Sequence, residues 1–412
     1  MGMKGSARSR VIALRCCALI GGLYGHPCVA QTIAMVPLAE ARLREEYVEQ
    51  GGLAESSDAV TLRLRTGVQV KAEGWSALVE AQGTLAIVDR YFDGLHGSAT
   101  RPVIADPQNI ALYRAQLQYR GKAVALTLGR QRISLDDDRF VDAALFRQNA
   151  QTYDAVRLEW TGVPHLRVDA TYAWQVRTIW GIDGFGVRPS SIGGDNVFVE
   201  VSHDSPVGRI TGFGYLASQN DPAYQGFRLS SQTFGARFAG NRPLTAHAKI
   251  NYKLTYAYQS DWQRNPNRYS ARFYLFDLSL DIARFRLGAA YEVTGASNGT
   301  AFTSFQFPVG AGIRYRGFTN KFTPTPPDGL RDLYGSVALT VPTAGRFRSV
   351  TAQAVFHRFE SDRLVRHYGN EIDLQLSGKI GRYTLMARYG EYDPDLFATR
   401  TRKFWLQLDW AL

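Results

Sequence analysis

Three consecutive aspartates, Asp136, Asp137 and Asp138, stand between arginines in the segment RQRISLDDDRF. Clustered carboxylates can hold calcium, act as acids, or pair with neighbouring bases. The spacing is not that of an EF-hand and no glycine follows to make its sharp turn. Ion pairing with Arg132, Arg139 and Arg147, folding an external loop over whatever lies beneath, is therefore the expectation. A second chemical candidate is VFHRFESDR, which brings His357 close in sequence to Ser361. Nucleophile, base and orienting group must meet within hydrogen-bond reach; no third residue completes such a set, and no G-x-S-x-G is present. His357 reads as a wall residue, and His96, His165, His203, His247 and His367 lack metal-ligand spacing. No catalytic residue, metal or cofactor is expected.

All three cysteines, Cys16, Cys17 and Cys28, fall in an N-terminal segment that has the build of an export signal. Lys4, Arg8 and Arg10 precede an apolar run over residues 11–24, and small residues around Ala30 suggest cleavage before Gln31. The run is shorter than the roughly 20 residues a membrane helix needs. Residues 1–30 are read as the signal and 31–412 as the mature chain, which then has no thiol chemistry. Removing the signal takes four bases and no acid, so the formal charge falls from +11 to +7. Without a Lys/Arg stripe or a recognition helix, nucleic acid is not the partner. An anionic solute or a lipopolysaccharide surface suits the charge better.

These side chains must be positioned by strands. In VTLRLRTGVQVKAE, Val60, Leu62, Leu64, Val68 and Val70 share one face, and Arg63, Arg65, Gln69 and Lys71 the other. LRVDATYAWQVR and KINYKLTYAYQ repeat the period of two. Such runs number about 18, each of roughly 9 to 13 residues, the length a tilted strand needs to cross a bilayer. They begin at Glu40, Val60, Ser76, Ile110, Lys122, Thr152, Leu166, Asn196, Gly208, Ser230, His247, Ala271, Ala283, Leu330, Arg348, Gly369, Gly381 and Arg402. Connections alternate between brief turns and long loops over residues 89–109, 132–151, 177–195, 217–229 and 296–329. Loops sorted by side predict an all-β, transmembrane antiparallel β-barrel with short periplasmic turns and long extracellular loops. The 21 Tyr, 22 Phe and 7 Trp supply aromatic girdles. The final KFWLQLDWAL sets Phe404, Leu406, Leu408 and Trp410 outward against Lys403, Gln407 and Asp409.

The segment GRQRISLDDDRFVDAALFRQNAQTYDAVRLEW resembles the hallmark of the alginate-export family of outer-membrane porins. SQTFGARFAG, YEVTGASNGTAFTSF, GFTNKFTPTPPDGLRDLYGSV, VFHRFESDR, YGNEIDLQLS and KFWLQLDW are similar to it in the same order. The resemblance implies an 18-stranded barrel with a basic constriction that passes anionic polysaccharide such as alginate, and periplasmic secretion partners. Carried onto matching strand motifs, that constriction would use Arg65, Arg130, Arg157 and Lys403, and the alternation adds Arg63, Arg237 and Arg388. Arg177 is also expected inside, whereas Arg130 falls on the face of Leu126 and Leu128, which a bulge or the loop base would have to correct. Guanidinium groups suit carboxylates because they bind bidentately and stay charged. Interspersed acids, among them Glu80, Asp169, Glu371 and Asp373, keep a general porin or a channel for small organic anions open as alternatives. An outer-membrane enzyme and a purely structural barrel are the remaining classes. The longest loop, residues 296–329, is expected to fold into the lumen.

Overall fold

The computed structural model describes residues 33–220, 226–310, 315–342 and 347–412, and the expected signal with its cysteines lies outside the described residues. Eighteen strands follow one another: β1 (Ala34–Gln50), β2 (Ser57–Ala72), β3 (Trp75–Arg90), β4 (Asn109–Arg120), β5 (Val124–Gln131), β6 (Thr152–Trp160), β7 (Leu166–Arg177), β8 (Ser191–Ser205) and β9 (Gly208–Ala217), then β10 (Ser231–Thr245), β11 (Ala248–Asp261), β12 (Ser270–Ile282), β13 (Phe285–Thr294), β14 (Leu330–Pro342), β15 (Phe347–Glu360), β16 (His367–Ile380), β17 (Tyr383–Pro394) and β18 (Thr401–Ala411). Each pairs antiparallel with its sequence neighbours, and β1 pairs with both β2 and β18. Closure leaves no sheet edge, which is what lets a sheet cross a medium that cannot hydrogen-bond it.

The expected strand starts agree with the structure within three residues except at β1 and β8, which begin earlier, at Ala34 and Ser191. Pro37 and the Gly193-Gly194 pair read as strand breakers. In the barrel Pro37 sits opposite Val68, and Gly193 opposite Gln175 just past a register shift. Turns such as 73–74, 206–207, 246–247 and 283–284 mark one end of the barrel, and the 91–108, 132–151, 178–190, 218–230 and 295–329 loops the other. Glu73 and Gly74 both have positive φ, 43° and 85°, the pair of left-handed residues that a two-residue hairpin requires.

The wall is inverted relative to a water-soluble sheet. Leu64, Val79, Leu128, Phe234, Leu278 and Leu376 are exposed on the outer face, whereas Thr61, Arg63, Arg65, Glu80 and Gln82 are buried inside. Three long loops fold into the lumen and bury them. The 132–151 loop contributes Ile133, Leu135, Phe140 and Val141 to a cluster with Phe198, Phe213, Phe273, Phe305 and Val309. Phe140 is its hub, within 5.3–5.9 Å, centroid to centroid, of Phe213, Tyr215, Phe273, Phe305 and Phe307. The 295–329 loop turns inward as expected, packing Phe322 on Phe359, Tyr368 and Tyr392. The 91–108 loop lays Tyr91 and Ile104 against Val48 and Ala59.

The triple aspartate is not an external cluster. Asp136 and Asp137 are carried inside, where Arg237 meets Asp136 at 2.9 Å and Lys253 meets Asp137 at 2.9 Å. Of the partners expected, only Arg139 joins them, at 3.6 Å from Asp137. The hydrophobic neighbours explain the difference: burying Ile133, Leu135 and Phe140 drags the carboxylates down to the wall. Burial pushes Asp137 up, but Arg139, Lys253 and Arg237 outweigh it and hold its carboxyl well below the usual range.

Candidate functional site

Registry between the first and last strands concentrates positive charge on one side of the lumen. Arg42 of β1 lies opposite Arg63 of β2 and Asp409 of β18, Arg44 opposite Gln407, and Val48 opposite Lys403. Because side chains alternate, Arg42, Arg44, Arg63, Arg65 and Lys403 all project inward. Arg42 Nε pairs with Asp409 at 2.7 Å. Arg44, fully buried, donates to Gln407 Oε1 at 2.6 and 2.9 Å, meets Asp106 at 3.3 Å, and bonds the Phe146 carbonyl. Arg63 and Arg65 share Glu40, at 3.1 and 2.6 Å, and Arg65 lies 3.9 Å over the Tyr113 ring.

Cations outnumber their partners here. Arg63 Nε and Nη1, Arg65 Nη2 and Arg147 Nη1 are buried without a hydrogen-bond partner. Lys403, 8% exposed, makes no ion pair or side-chain hydrogen bond among the described residues. Glu46, two positions along β1, has both carboxylate oxygens buried and unbonded. Each such N–H costs about 1–3 kcal/mol unless an oxygen, of water or of a solute, reaches it.

Two loop tips narrow the passage beside it. Phe146 of the 132–151 loop and Phe318 of the 295–329 loop approach Trp405 edge-on, at 6.0 and 6.3 Å. Arg388 of β17 lies 4.7 Å from the Phe146 ring and 4.6 Å from the Phe318 ring, with its Nε 2.5 Å from Gln375. Lys321 donates to Gln50 at 3.1 Å. Burial pushes its ammonium down to about 8, and the nearby charge of Lys403 adds to the fall.

The 295–329 tip is held by acids of β16. Glu371 accepts Thr319 N at 2.7 Å and Thr319 Oγ1 at 2.6 Å, and Asp373 accepts Phe318 N at 3.0 Å. Gly317, at φ +81°, presses so close to the Glu371 carboxylate that a Cβ would collide with it. His357 bridges the same patch, 3.0 Å from Asp332 and 3.7 Å from Asp373. The Ser361 hydroxyl is turned to Arg366 N at 2.9 Å instead of toward His357.

The other expected site residues divide. Arg157 faces the lumen but is held by Asp169, at 3.1 Å to both oxygens from Nε. Arg237 is inside and occupied by Asp136, with Glu200 at 3.8 Å. Arg130 does not reach the lumen: opposite Ala115 and Asp154, it stays on the outer face with Leu126 and Leu128. There it forks onto Asp154 at 2.7 and 3.1 Å and donates to the Leu112 carbonyl at 3.1 Å, past the end of the β4–β5 pairing. Arg177 shares Asp154 at 3.2 Å; a register shift at Ala173/Gln175 turns it outward, against expectation. Arg42 and Arg44 were not expected. Their signal, the alternation Arg42, Arg44, Glu46, is masked by Glu45 and Glu49 on the other face.

Residues 39–293, from β1 to β13, match the alginate export family. The chain belongs to that family. The match includes the arginine-bearing strands β1 and β2 and ends before β17 and β18. This member of the alginate export family is also similar in fold to solved outer-membrane barrels. Pseudomonas aeruginosa OpdL is 13% identical, with a TM-score of 0.64 over 92% of this chain and 98% of that one. Acinetobacter baumannii OccAB3 is 13% identical, with a TM-score of 0.65 over 91% and 99%. The outer membrane protein OpdK of Pseudomonas aeruginosa is 10% identical, with a TM-score of 0.67 over 92% and 98%. None of the curated proteins matches the chain. The chain is an outer-membrane β-barrel with the porin fold.

Proposed function

We propose that the barrel is a passive channel for anionic solutes, with an anionic polysaccharide of the alginate kind moving outward as its cargo. The observation that carries the reading is the wall of β1, β2 and β18, where buried cationic N–H groups outnumber their acceptors. A carboxylate passing along it gains bidentate, charge-assisted bonds. Asp409, Glu40 and Glu46 sit among the cations and keep each stop weak enough to leave. Chemistry is not part of this reading: no catalytic residue, metal or cofactor enters it.

A second reading, a channel for small organic anions, is favoured by the apolar packing with which the 132–151 and 295–329 loops fill the lumen. Single-channel recording of the refolded chain under a salt gradient tests both. Anion selectivity that inverts in Arg65→Glu, with block by oligouronate, supports the polymer reading. Selectivity with no oligouronate block, but block by small carboxylates, supports the second reading. Unselective conductance overturns both.

A further inference from the structure

Many arginines at the loop end of the barrel meet an acid, as Arg101 meets Glu55, Arg363 meets Asp328 at 3.0 Å and Arg400 meets Glu391 at 2.7 Å, while Arg132 and Arg366 stand singly without one among the described residues. Above β11 and β12 such arginines cluster. Arg264 and Arg268 in the 262–269 loop, and Arg272 at the mouth of β12, are exposed and make no ion pair or side-chain hydrogen bond among the described residues. The loop itself contains no acid, and the adjoining Asp261 is engaged by Tyr269 N at 3.0 Å. Arg228, whose carbonyl accepts from Asn265 at 3.1 Å, adds a buried Nε without a partner.

Arg272 faces the membrane. Its neighbours Ala271 and Phe273 are buried in the lumen, and it lies opposite Tyr258, which is exposed on the outer face. Phe234 and Tyr258 share its row on the outer face, and two residues further into the membrane the Tyr256 and Tyr274 rings stand 5.4 Å apart. Such rings mark the headgroup level of the bilayer. Three uncompensated guanidinium groups are thus set at and just above that level.

We propose that this sector is a docking surface for a phosphate-bearing lipid of the outer leaflet. Arg264, Arg268 and Arg272 take the phosphates, and Phe234, Tyr256, Tyr258 and Tyr274 pack against the chains beneath. Guanidinium forks match phosphate oxygens bidentately, and an apolar belt under a cationic rim fits an amphiphile better than a free ion.

The test is native mass spectrometry of the full chain in detergent, titrated with bisphosphorylated lipid A and with the same lipid lacking phosphates. The wild type should retain the bisphosphorylated form selectively. Arg264→Gln/Arg268→Gln/Arg272→Gln should weaken retention on the order of a hundredfold, since each base near an anionic lipid surface contributes severalfold. Arg101→Gln/Arg363→Gln/Arg400→Gln, which removes the same charge from the paired sectors, should stay within about threefold. Equal retention of both lipids, or an unchanged triple variant, overturns the proposal. Displacement of lipid A by millimolar inorganic phosphate also overturns it, because the site would then belong to the free ion. Should the triple variant not fold, Arg272→Gln alone is read for a severalfold loss.

Discussion

Gly317→Ala tests whether the 295–329 tip is latched to the wall. Alanine at φ +81° costs about 1–2 kcal/mol in backbone strain. Its Cβ would also evict the Glu371 carboxylate, which accepts from Thr319 N and Thr319 Oγ1. Two hydrogen bonds to a charged acceptor contribute about 1.5–3 kcal/mol each. The total, about 4–8 kcal/mol, exceeds what a loop tip can absorb and keep its place, whereas the strand ladder that closes the barrel is untouched. Release would withdraw Phe318 from Trp405 and Lys321 from Gln50. In planar bilayers the variant should show larger unitary conductance and noisier open states, with wild-type heat-modifiable mobility. Glu371→Gln keeps the shape of the side chain and loses only the charge, so its effect should be smaller. A folded Gly317→Ala barrel with wild-type conductance would refute the reasoning.

The Lys321 ammonium, held at about 8, should make anion selectivity fall between pH 7 and 9.5, and Lys321→Met should abolish that fall in reversal-potential measurements. Because its value lies below the ordinary 10.5, the folded state sheds the proton first, so the seat of the loop grows more stable as pH rises through that window. Phe140→Ala removes the hub of the inner aromatic cluster, at about 3–5 kcal/mol. Limited trypsinolysis should then cut at the half-buried Arg147 faster than in the wild type. Arg157→Glu should shift selectivity far less than Arg65→Glu, since Asp169 answers Arg157 alone whereas Arg63 and Arg65 share the single Glu40; equal shifts in salt-gradient recordings would contradict this assignment.

The strands were legible because alternation is enforced by two solvents: lipid outside demands Leu, Val and Phe, and the lumen tolerates Arg, Gln and Thr. Where that contrast fails, the reading fails. Strand β1 has Glu45 and Glu49 on the outer parity, so the inward Arg42 and Arg44 did not stand out. The fate of Asp136 and Asp137 was set by remote contacts, through Phe140 to Phe273 and Phe305, which no local pattern encodes. Arg130 shows the converse. Its parity was plain in the sequence, and the outward placement follows from parity alone without any bulge.

Arg42, Arg44, Trp405 and Lys403 stand on the two strands that meet last, at the seam between β1 and β18. A chain inserted but not yet zipped keeps Arg42 beside Arg63 and Arg65 across the β1–β2 pairing, yet lacks Asp409, Gln407 and Lys403 of β18 beside them. The β18 half of that charged wall and the final fastening of the cylinder are one event. Under the proposed function an open seam would leave a passage with half of its charged wall missing, so swift completion of that last pairing would matter to the membrane that houses it.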